Sequence, residues 1–309
     1  MPIVGNNQVG RALPNIGFFG SQSWTPAYDM QAYVYVVGAG GSGGGVGGHG
    51  TDARAQGGAA GGCAVSFLTL LSSVTYTITI GAGGAVVSGS GNSDGNAGGN
   101  SSLAGSNITT MTGNGGAAGT KGTSGGSIAA NSGGSASGGT ICNNTGGSGG
   151  LVSDSNQHFT GGGAVGLWTT GNSAGASTNE TNKSMGAGNL NYDADSPPAA
   201  FQGTYSELYT NSGDTRMSPF PALFGIQEVM RMGGGSSNSG SYTSKTRHNA
   251  LSGEFTSGYR GYQNGSYVAG SGGPFCGGGG MRTSSGNSFA GGGGLGGGGG
   301  GCLGGGQFY

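Results

Sequence analysis

Runs of consecutive glycine interrupt this chain along its whole length and limit what it can fold into. Glycine supplies 81 of the 309 residues, against 10 Lys or Arg and 11 Asp or Glu. Because glycine loses the most backbone freedom on folding, the runs must recover free energy through backbone hydrogen bonds. With no Gly-X-Y period and only 8 prolines, the chain is not collagen. The runs are residues 43–45, 161–163, 233–235, 277–280, 291–294, 296–301 and 304–306.

Segments with a β-strand pattern lie between the glycine runs, which argues against a flexible Gly/Ser linker. The clearest is residues 75–80, in which Tyr76 and Ile78 face one side and threonines face the other. This alternation is typical of a half-buried antiparallel strand. The four predicted strands lie within residues 24–37, 64–71, 75–80 and 107–112.

A glycine run can form an extended helix with three residues per turn, the glycine relative of polyproline II. Such a helix has no internal hydrogen bonds. Without Cβ atoms, however, neighbouring helices can approach closely and bond sideways through N–H and C=O groups. Each bond contributes only about 1 kcal/mol net, so the strands are expected to anchor the ends of the bundle.

The order of motifs in the first third of the chain resembles the glycine-rich domain of bacteriophage tail-fibre and adhesin proteins. The motifs are WTPA, YVYVVGAGG, GGCAVSFLTL, YTITIGAGG and GGNSS. A related module occurs in an animal receptor tyrosine kinase ectodomain. The resemblance covers residues 23–119. Residues 272–309 resemble the family only in their glycine-rich character. It implies an all-β fold, an antiparallel β-sandwich fused to a bundle of polyglycine-II helices. In phage adhesins of the T-even-like type, loops between the glycine tracts form the host-binding tip.

Four segments are expected along the chain. Residues 1–22 are a virion-attachment segment and residues 23–163 the glycine-rich sandwich. Residues 164–270 are an aromatic-rich insert, and residues 271–309 complete the bundle. One short α-helix is predicted in the insert, over residues 219–232, and Gly233 ends it.

The insert is rich in Tyr, Ser, Gly and Asn, which are the residues that antibody-type binding loops use. For any one aromatic residue, a place in a small core is the simpler reading. For the group, binding to a host receptor is favoured. The candidate receptor-binding residues are Trp168, Tyr192, Tyr205, Tyr209, Tyr242, Tyr259, Tyr262 and Tyr267.

Motifs for catalysis and cofactors are weak. The Gly38-x-Gly40-x-x-Gly43 pattern is followed by glycine rather than by a helix, which disfavours nucleotide binding. No acid–base constellation is evident, so no enzyme activity, cofactor or metal is expected. The four cysteines lack zinc-type spacing; buried thiols are favoured and a disulfide stays open. The ten basic residues are scattered, which gives no nucleic-acid footprint.

The start of the chain lacks the basic and apolar regions of a signal peptide, so export by the usual route is not expected. The predicted function is a non-enzymatic phage tail-fibre or adhesin tip that binds a host glycan or outer-membrane protein. It would assemble in the host cytoplasm, as a homo-oligomer, and be exposed on the virion. The alternatives are a capsid decoration or head-fibre protein and, less favoured, a glycan-cleaving enzyme. The residues expected to attach it to other virion proteins are Ile3, Val4, Leu13, Ile16, Phe18 and Phe19.

Overall fold

The fold is known from a computed structural model. It describes residues 16–46, 54–87, 93–121, 127–152, 158–159, 162–163, 165–166, 170–171, 173, 262–263, 266–268, 281–282, 287–289, 291–294, 296–300 and 302–303. These residues contain strands and no helix, so the described part is all-β, as predicted. The helix predicted over residues 219–232 lies outside the described residues.

The strands are short, and only two of them reach eight residues. In chain order they are β1 (Gln22–Trp24), β2 (Met30–Val37), β3 (Gly45–Val46), β4 (Arg54–Ala55), β5 (Cys63–Leu70), β6 (Tyr76–Thr79), β7 (Ser101–Ala104), β8 (Met111–Gly113), β9 (Ala136–Ser137), β10 (Cys142–Asn144), β11 (His158–Phe159), β12 (Tyr262–Gln263), β13 (Ser266–Val268), β14 (Met281–Arg282), β15 (Asn287–Phe289) and β16 (Cys302–Leu303).

Two antiparallel sheets form the side-chain core. One has the strand order β1-β6-β7-β8-β9 and the other the order β10-β5-β2. The β2–β5 pair is the longest, and its register runs without a bulge from Met30 opposite Leu70 to Val37 opposite Cys63. Strands β2 and β5 of the second sheet contact strands of the first, so the two sheets face each other.

The core is filled by side chains from both sheets. Its buried members are Val36, Ala64, Leu70, Tyr76, Ile78, Leu103 and Met111. The centre is Tyr76, whose ring is fully buried and lies 6.1 Å from that of Trp24. Its hydroxyl donates to Asn107 Oδ1 and accepts from the Leu71 backbone N–H. A buried tyrosine needs such partners because an unsatisfied buried hydroxyl costs free energy.

Three of the four predicted strands are confirmed, as β2, β5 and β6. In β6, Tyr76 and Ile78 are buried and the threonines are exposed, as predicted. The strand predicted over residues 107–112 is wrong in its bounds, since β8 begins at Met111. Asn107 instead anchors a turn by bonding Tyr76 and the Thr69 carbonyl. Strand β7 was not predicted, because its sequence SSLA carries little β pattern.

Beyond the sheets the chain runs in extended segments rich in glycine, alanine and serine, which we call tracts. The described tracts are residues 38–44, 56–62, 81–87, 93–99, 114–120, 128–135, 145–150, 162–163 with 165–166, 291–294 and 296–300. Their backbone groups bond sideways between tracts rather than within one tract. This arrangement satisfies buried N–H and C=O groups without a helix or a ladder of regular strands.

Hydrogen bonds from the tract 38–44 repeat with a period of three. Residues 38, 41 and 44 donate to the tract 56–62, residues 39 and 42 to 93–99, and residues 40 and 43 to 291–294. The acceptor numbers fall as the donor numbers rise, so these neighbours run antiparallel. The bonds are Gly38 to Gly62, Gly41 to Ala59, Gly44 to Gln56, Ala39 to Gly99, Ser42 to Asn96, Gly40 to Gly294 and Gly43 to Gly291, all between 2.8 and 3.0 Å.

Two tracts are completely enclosed. The tract 38–44 also accepts hydrogen bonds from the tracts 81–87, 114–120 and 296–300, which gives it six bonded neighbours. The tract 56–62 is enclosed in the same way, and every residue of both tracts is buried. Its neighbours are 38–44, 114–120, 128–135, 145–150, 162–163 and 296–300.

Glycine is required in the tracts because of close backbone approach. A Cβ at Gly58 would overlap the carbonyl oxygen of Gly41, and one at Gly298 would overlap that of Gly58. At the start of the tract 296–300, Gly296 has a φ of 84°, in the left-handed region that favours glycine. The spacing between tracts is therefore set by the absence of side chains.

A second buried cluster lies where the tracts meet the sheet β10-β5-β2. It contains Ala60, Cys63, Val65 and Val165. Burial raises the pKa of the Cys63 thiol to about 12, and burial also raises the pKa of Cys142 on the neighbouring strand. Cys63 and Cys142 stand as thiols; Cys63 is buried, as expected, whereas Cys142 is half-buried. The side chains of Cys276 and Cys302 lie outside the described residues.

Candidate functional site

The candidate site is the end of the tracts that lies away from the two sheets, which we call the distal end. Each of β2, β6, β8 and β10 runs directly into a tract, and the next tract returns the chain to the sheets at β5, β7 and β9 in the first three cases. The chain segments that join outgoing to returning tracts therefore start and finish at the distal end. These links are residues 47–53, 88–92, 122–126 and 153–157, outside the described residues.

Short strands tie the tract ends together at the distal end. Strand β16 pairs in parallel with both β14 and β3, and β11 pairs in parallel with β4. Strand β4 contacts β3 and β16. Isolated bridges join Gly45 to Ser93 and Ala55 to Lys121. The pairings bring tract ends from the first, middle and last parts of the chain to one place.

The described residues on both sides of the insert also lie toward the distal end. Gly171 donates to the Thr145 carbonyl, and Ser173 bonds to Ser148. Residues 171 and 173 thus lie beside the tract 145–150, in order away from the sheets. On the other side, β13 pairs in parallel with β15, which precedes the returning tract 291–294 and contacts β16. The segment between residues 173 and 262 thus leaves and rejoins the described fold on the distal side.

Two buried amide side chains brace the tracts. Gln56 is fully buried; its Nε2 donates to the Ala129 and Gly150 carbonyls at 2.7 and 3.3 Å, and its Oε1 accepts from Thr120 N–H. Asn131 donates to the carbonyls of Gly57 and Ala118 and accepts from Gly149 N–H. These amides take the place of backbone groups because they carry the same donor and acceptor types.

Only two of the predicted receptor-binding residues fall among the described residues. Tyr262 lies in β12, opposite Val268, and Tyr267 lies in β13, opposite Gln263. Their backbones are therefore on neighbouring strands on the distal side. The other six lie outside the described residues: Trp168, Tyr192, Tyr205, Tyr209, Tyr242 and Tyr259.

The predicted attachment residues divide into two groups within the structure. Ile16 and Phe19 are 51% and 75% exposed. Phe18 instead packs on the core, with its ring 5.4 Å from that of Trp24. Ile3, Val4 and Leu13 lie outside the described residues.

Sequence reasoning missed the braces Gln56 and Asn131 and the order in which the tracts assemble. One usable signal was present. In the peripheral tract 114–120 and the residue before it, glycine recurs at Gly113, Gly116 and Gly119, and all three are buried. In this tract, the three-residue glycine period marks the side that faces the enclosed tracts.

The described residues show little reactive chemistry. They contain no group of three or more His, Cys, Asp or Glu side chains able to hold a metal. None of the described elements is a helix with the length and apolar character needed to cross a bilayer. Many backbone donors and acceptors of the tracts bond to each other.

Comparisons with protein-family models, with curated proteins and with solved structures found no match for this chain.

Proposed function

We propose that the tracts are polyglycine-II helices, bundled on the end of a β-sandwich formed by the two facing sheets. The period of three in the hydrogen-bond partners supports this, since that helix has three residues per turn. The six bonded neighbours of the tract 38–44 support a hexagonal bundle. Backbone angles measured by NMR over residues 38–44 test the proposal. We expect values near φ −75° and ψ +145°, the polyproline-II region; strand-like angles over these residues would contradict it.

We propose further that the protein is a non-enzymatic virion adhesin, with the distal end as its host-binding tip. One observation carries this proposal: the described residues that flank the tract links and the insert lie at the end opposite the sheets. Binding residues are commonly held on loops that a rigid scaffold positions. The tracts form such a scaffold because their backbone groups are bonded to several neighbours at once.

The insert supplies the side chains that such a tip needs. Tyrosine offers a large contact area at small cost in side-chain entropy, while Ser, Gly and Asn adapt their hydrogen bonds to the partner. The candidate anchors include Tyr262 and Tyr267, which lie on the distal strands β12 and β13. A few aromatic anchors commonly dominate binding energy.

Adsorption of particles to host cells tests the function. Alanine at Tyr192, Tyr205, Tyr209, Tyr259 and Tyr262 together should lower adsorption by more than about tenfold, equivalent to ~1.4 kcal/mol. Alanine at the exposed Tyr33, on the sheet β10-β5-β2, is the matched control and should leave adsorption unchanged. Normal adsorption by the five-residue variant, with intact particles, would contradict the adhesin proposal.

The start of the chain is proposed to attach the protein to the particle. Ile16 and Phe19 remain exposed for such a contact, whereas Phe18 stabilises the sheets. Deleting residues 1–16 and replacing Phe19 by serine, while keeping Phe18, should therefore leave a folded protein that is missing from particles. Labelling the chain in whole particles separates a tail tip from the alternative, a capsid decoration. Incorporation of the truncated protein at normal copy number would contradict attachment through this segment.

A further inference from the structure

Of the four strands at the edges of the two facing sheets, only β2 is long. Among the described residues it has β5 on one side and no strand on the other. The other edge strands, β1, β9 and β10, have two or three residues each, whereas β2 has eight. Proteins commonly protect a long edge with charge, proline or a bulge. Residues 30–37 contain no charged residue and no proline, and their register with β5 has no bulge.

The open edge of β2 carries the backbone groups of Gln31 and Tyr33. Gly38 N–H donates to the Gly62 carbonyl, which continues the β2–β5 register by one pair. Backbone groups alternate in direction along a strand. The N–H and C=O of Val34 therefore face β5, whereas those of Gln31 and Tyr33 face away from it. Both of these residues are exposed, so their backbone groups are accessible to an added strand.

The two sheets differ in width beside this edge. Strand β2 lies against β7 and β8 of the larger sheet, so β6 and β1, which follow β7 in that sheet, extend beyond β2. Trp24 on β1 and Val34 on β2 are both only half-buried, although both pack against the core. A strand added beside β2 would lie beneath β6 and β1 and would cover these two side chains.

This geometry favours a single extended segment over a second sandwich. A whole sheet of another copy, paired edge to edge with β2, would meet the projecting strands β6 and β1, whereas one added strand needs a width of only about 4.8 Å. The start of the chain borders the same place. Phe18 packs on Trp24, and the adjoining Phe19, a proposed attachment residue, is 75% exposed.

We propose that β2 accepts an extended, uncharged segment of another virion protein as an added strand. Strand addition gains its affinity from main-chain hydrogen bonds and its specificity from alternate side chains. Gln31 and Tyr33 supply the main-chain groups, and apolar side chains on one face of the segment pack against Trp24 and Val34. The inference rests on the proposed function, in which this side of the molecule attaches to the particle.

Two variants at Tyr33 test the pairing. Tyr33→Pro removes the N–H that faces away from β5 and keeps the bonds to β5, a position at which an edge strand tolerates proline. It should fold, and its copy number in particles should fall by about fivefold or more because a main-chain hydrogen bond is lost. Tyr33→Ala keeps this N–H and should be incorporated as the parent is. Thermal unfolding checks both folds. Normal incorporation of folded Tyr33→Pro would overturn the proposal.

Hydrogen exchange tests the same edge without a variant. In the free full chain, NMR should show slow exchange of Val34 N–H and fast exchange of Gln31 and Tyr33 N–H. In whole particles, mass spectrometry should show that residues 30–37 take up less deuterium than in the free chain. Unchanged uptake in particles would contradict strand addition. Protection in the free chain that rises with concentration, together with dimers in light scattering, would identify a second copy as the occupant and overturn the choice of partner.

Incorporation into particles distinguishes this inference from attachment through the chain start. If deleting residues 1–16 with Phe19→Ser abolishes incorporation while Tyr33→Pro does not, the chain start attaches the protein and only strand addition fails. If Tyr33→Pro abolishes incorporation while the deletion does not, β2 remains the attachment site and the chain-start proposal fails.

Discussion

The sheets and the glycine tracts solve the same problem, the burial of backbone, in opposite ways. In the sheets, strands pair with one or two neighbours, and side chains such as Tyr76 and Met111 fill the space between layers. In the tracts, each enclosed segment bonds to six others, and the space is closed by removing side chains. The sheets therefore depend on which side chains are present, and the tracts on which are absent.

The largest effect is expected where a side chain enters the tracts. Gly298→Leu should prevent folding because a Cβ there overlaps the Gly58 carbonyl oxygen, and the branches beyond it have no space. Gly20→Leu is the control, since nothing lies within 4 Å of a Cβ at Gly20. Soluble yield and thermal unfolding measure both. If Gly298→Leu unfolds as the parent does, the tracts do not depend on the absence of side chains, and the contrast with the sheets is wrong.

A single added methyl group compares how tightly the tracts and the sheet core are packed. Gly58→Ala should destabilise the protein by about 3 kcal/mol or more, since its Cβ overlaps the Gly41 carbonyl oxygen in a rigid environment. Met111→Leu in the sheet core should cost less than about 1.5 kcal/mol, because its volume is nearly conserved. Chemical denaturation gives both values. A larger loss of stability for Met111→Leu than for Gly58→Ala would show that the tracts accommodate an added methyl group more easily than the sheet core accommodates a change of side-chain shape.

Each region contains a buried polar side chain that can be removed. Gln56→Leu leaves the Thr120 N–H and the Ala129 and Gly150 carbonyls without its amide, and we expect a loss of about 2–4 kcal/mol.

The counterpart in the sheets is Tyr76→Phe, which removes one hydroxyl with two partners and should cost about 1–2 kcal/mol. Unfolding free energies compare the two variants. A smaller loss for Gln56→Leu than for Tyr76→Phe would mean that water replaces the Gln56 amide.

The smallest effect concerns alkaline pH at the junction of the two regions. The folded pKa of Cys63 is raised to about 12 by burial, so the unfolded chain releases this proton first. Stability should be constant near neutral pH and fall as pH rises above the ordinary thiol pKa, about 8.5.

Melting temperature measured between about pH 7 and pH 10.5 should therefore fall less steeply in Cys63→Ala than in the parent. The pKa of Cys142 is also raised in the folded protein, so Cys142 still contributes to the fall of melting temperature with pH in the variant. Equal slopes in parent and variant would show that Cys63 is hydrated in the folded protein.

The sheets were the more predictable region, because their signal is local. Alternation in β6 placed Tyr76 inside and the threonines outside from six residues alone. The exception is instructive: Asn107 lies in an apolar-looking segment but acts as a turn anchor, since its amide bonds Tyr76 and the Thr69 carbonyl. Such a bond joins positions far apart in sequence, and a local pattern cannot contain it.

The candidate site was less predictable from sequence. The composition of the insert pointed to Tyr262 and Tyr267 as members of a group, but nothing local indicated that β12 and β13 lie beside the strand β15 that leads into the last tracts. Likewise, Arg54 and His158 are more than a hundred residues apart and carry no shared motif. Pairing between distant tract ends brings them together.

The sequence by itself determined that this chain is all-β in its described part, that β2, β5 and β6 form, and that glycine segments must bond to one another. Those conclusions follow from residue-level physics: side-chain alternation, and the backbone entropy and missing Cβ of glycine. Only the tertiary structure decided which tract lies beside which. Glycine tracts differ little in side chains, so their neighbours are chosen by the strands that anchor them and by braces such as Gln56. That choice brings tract ends from distant parts of the chain together at the distal end.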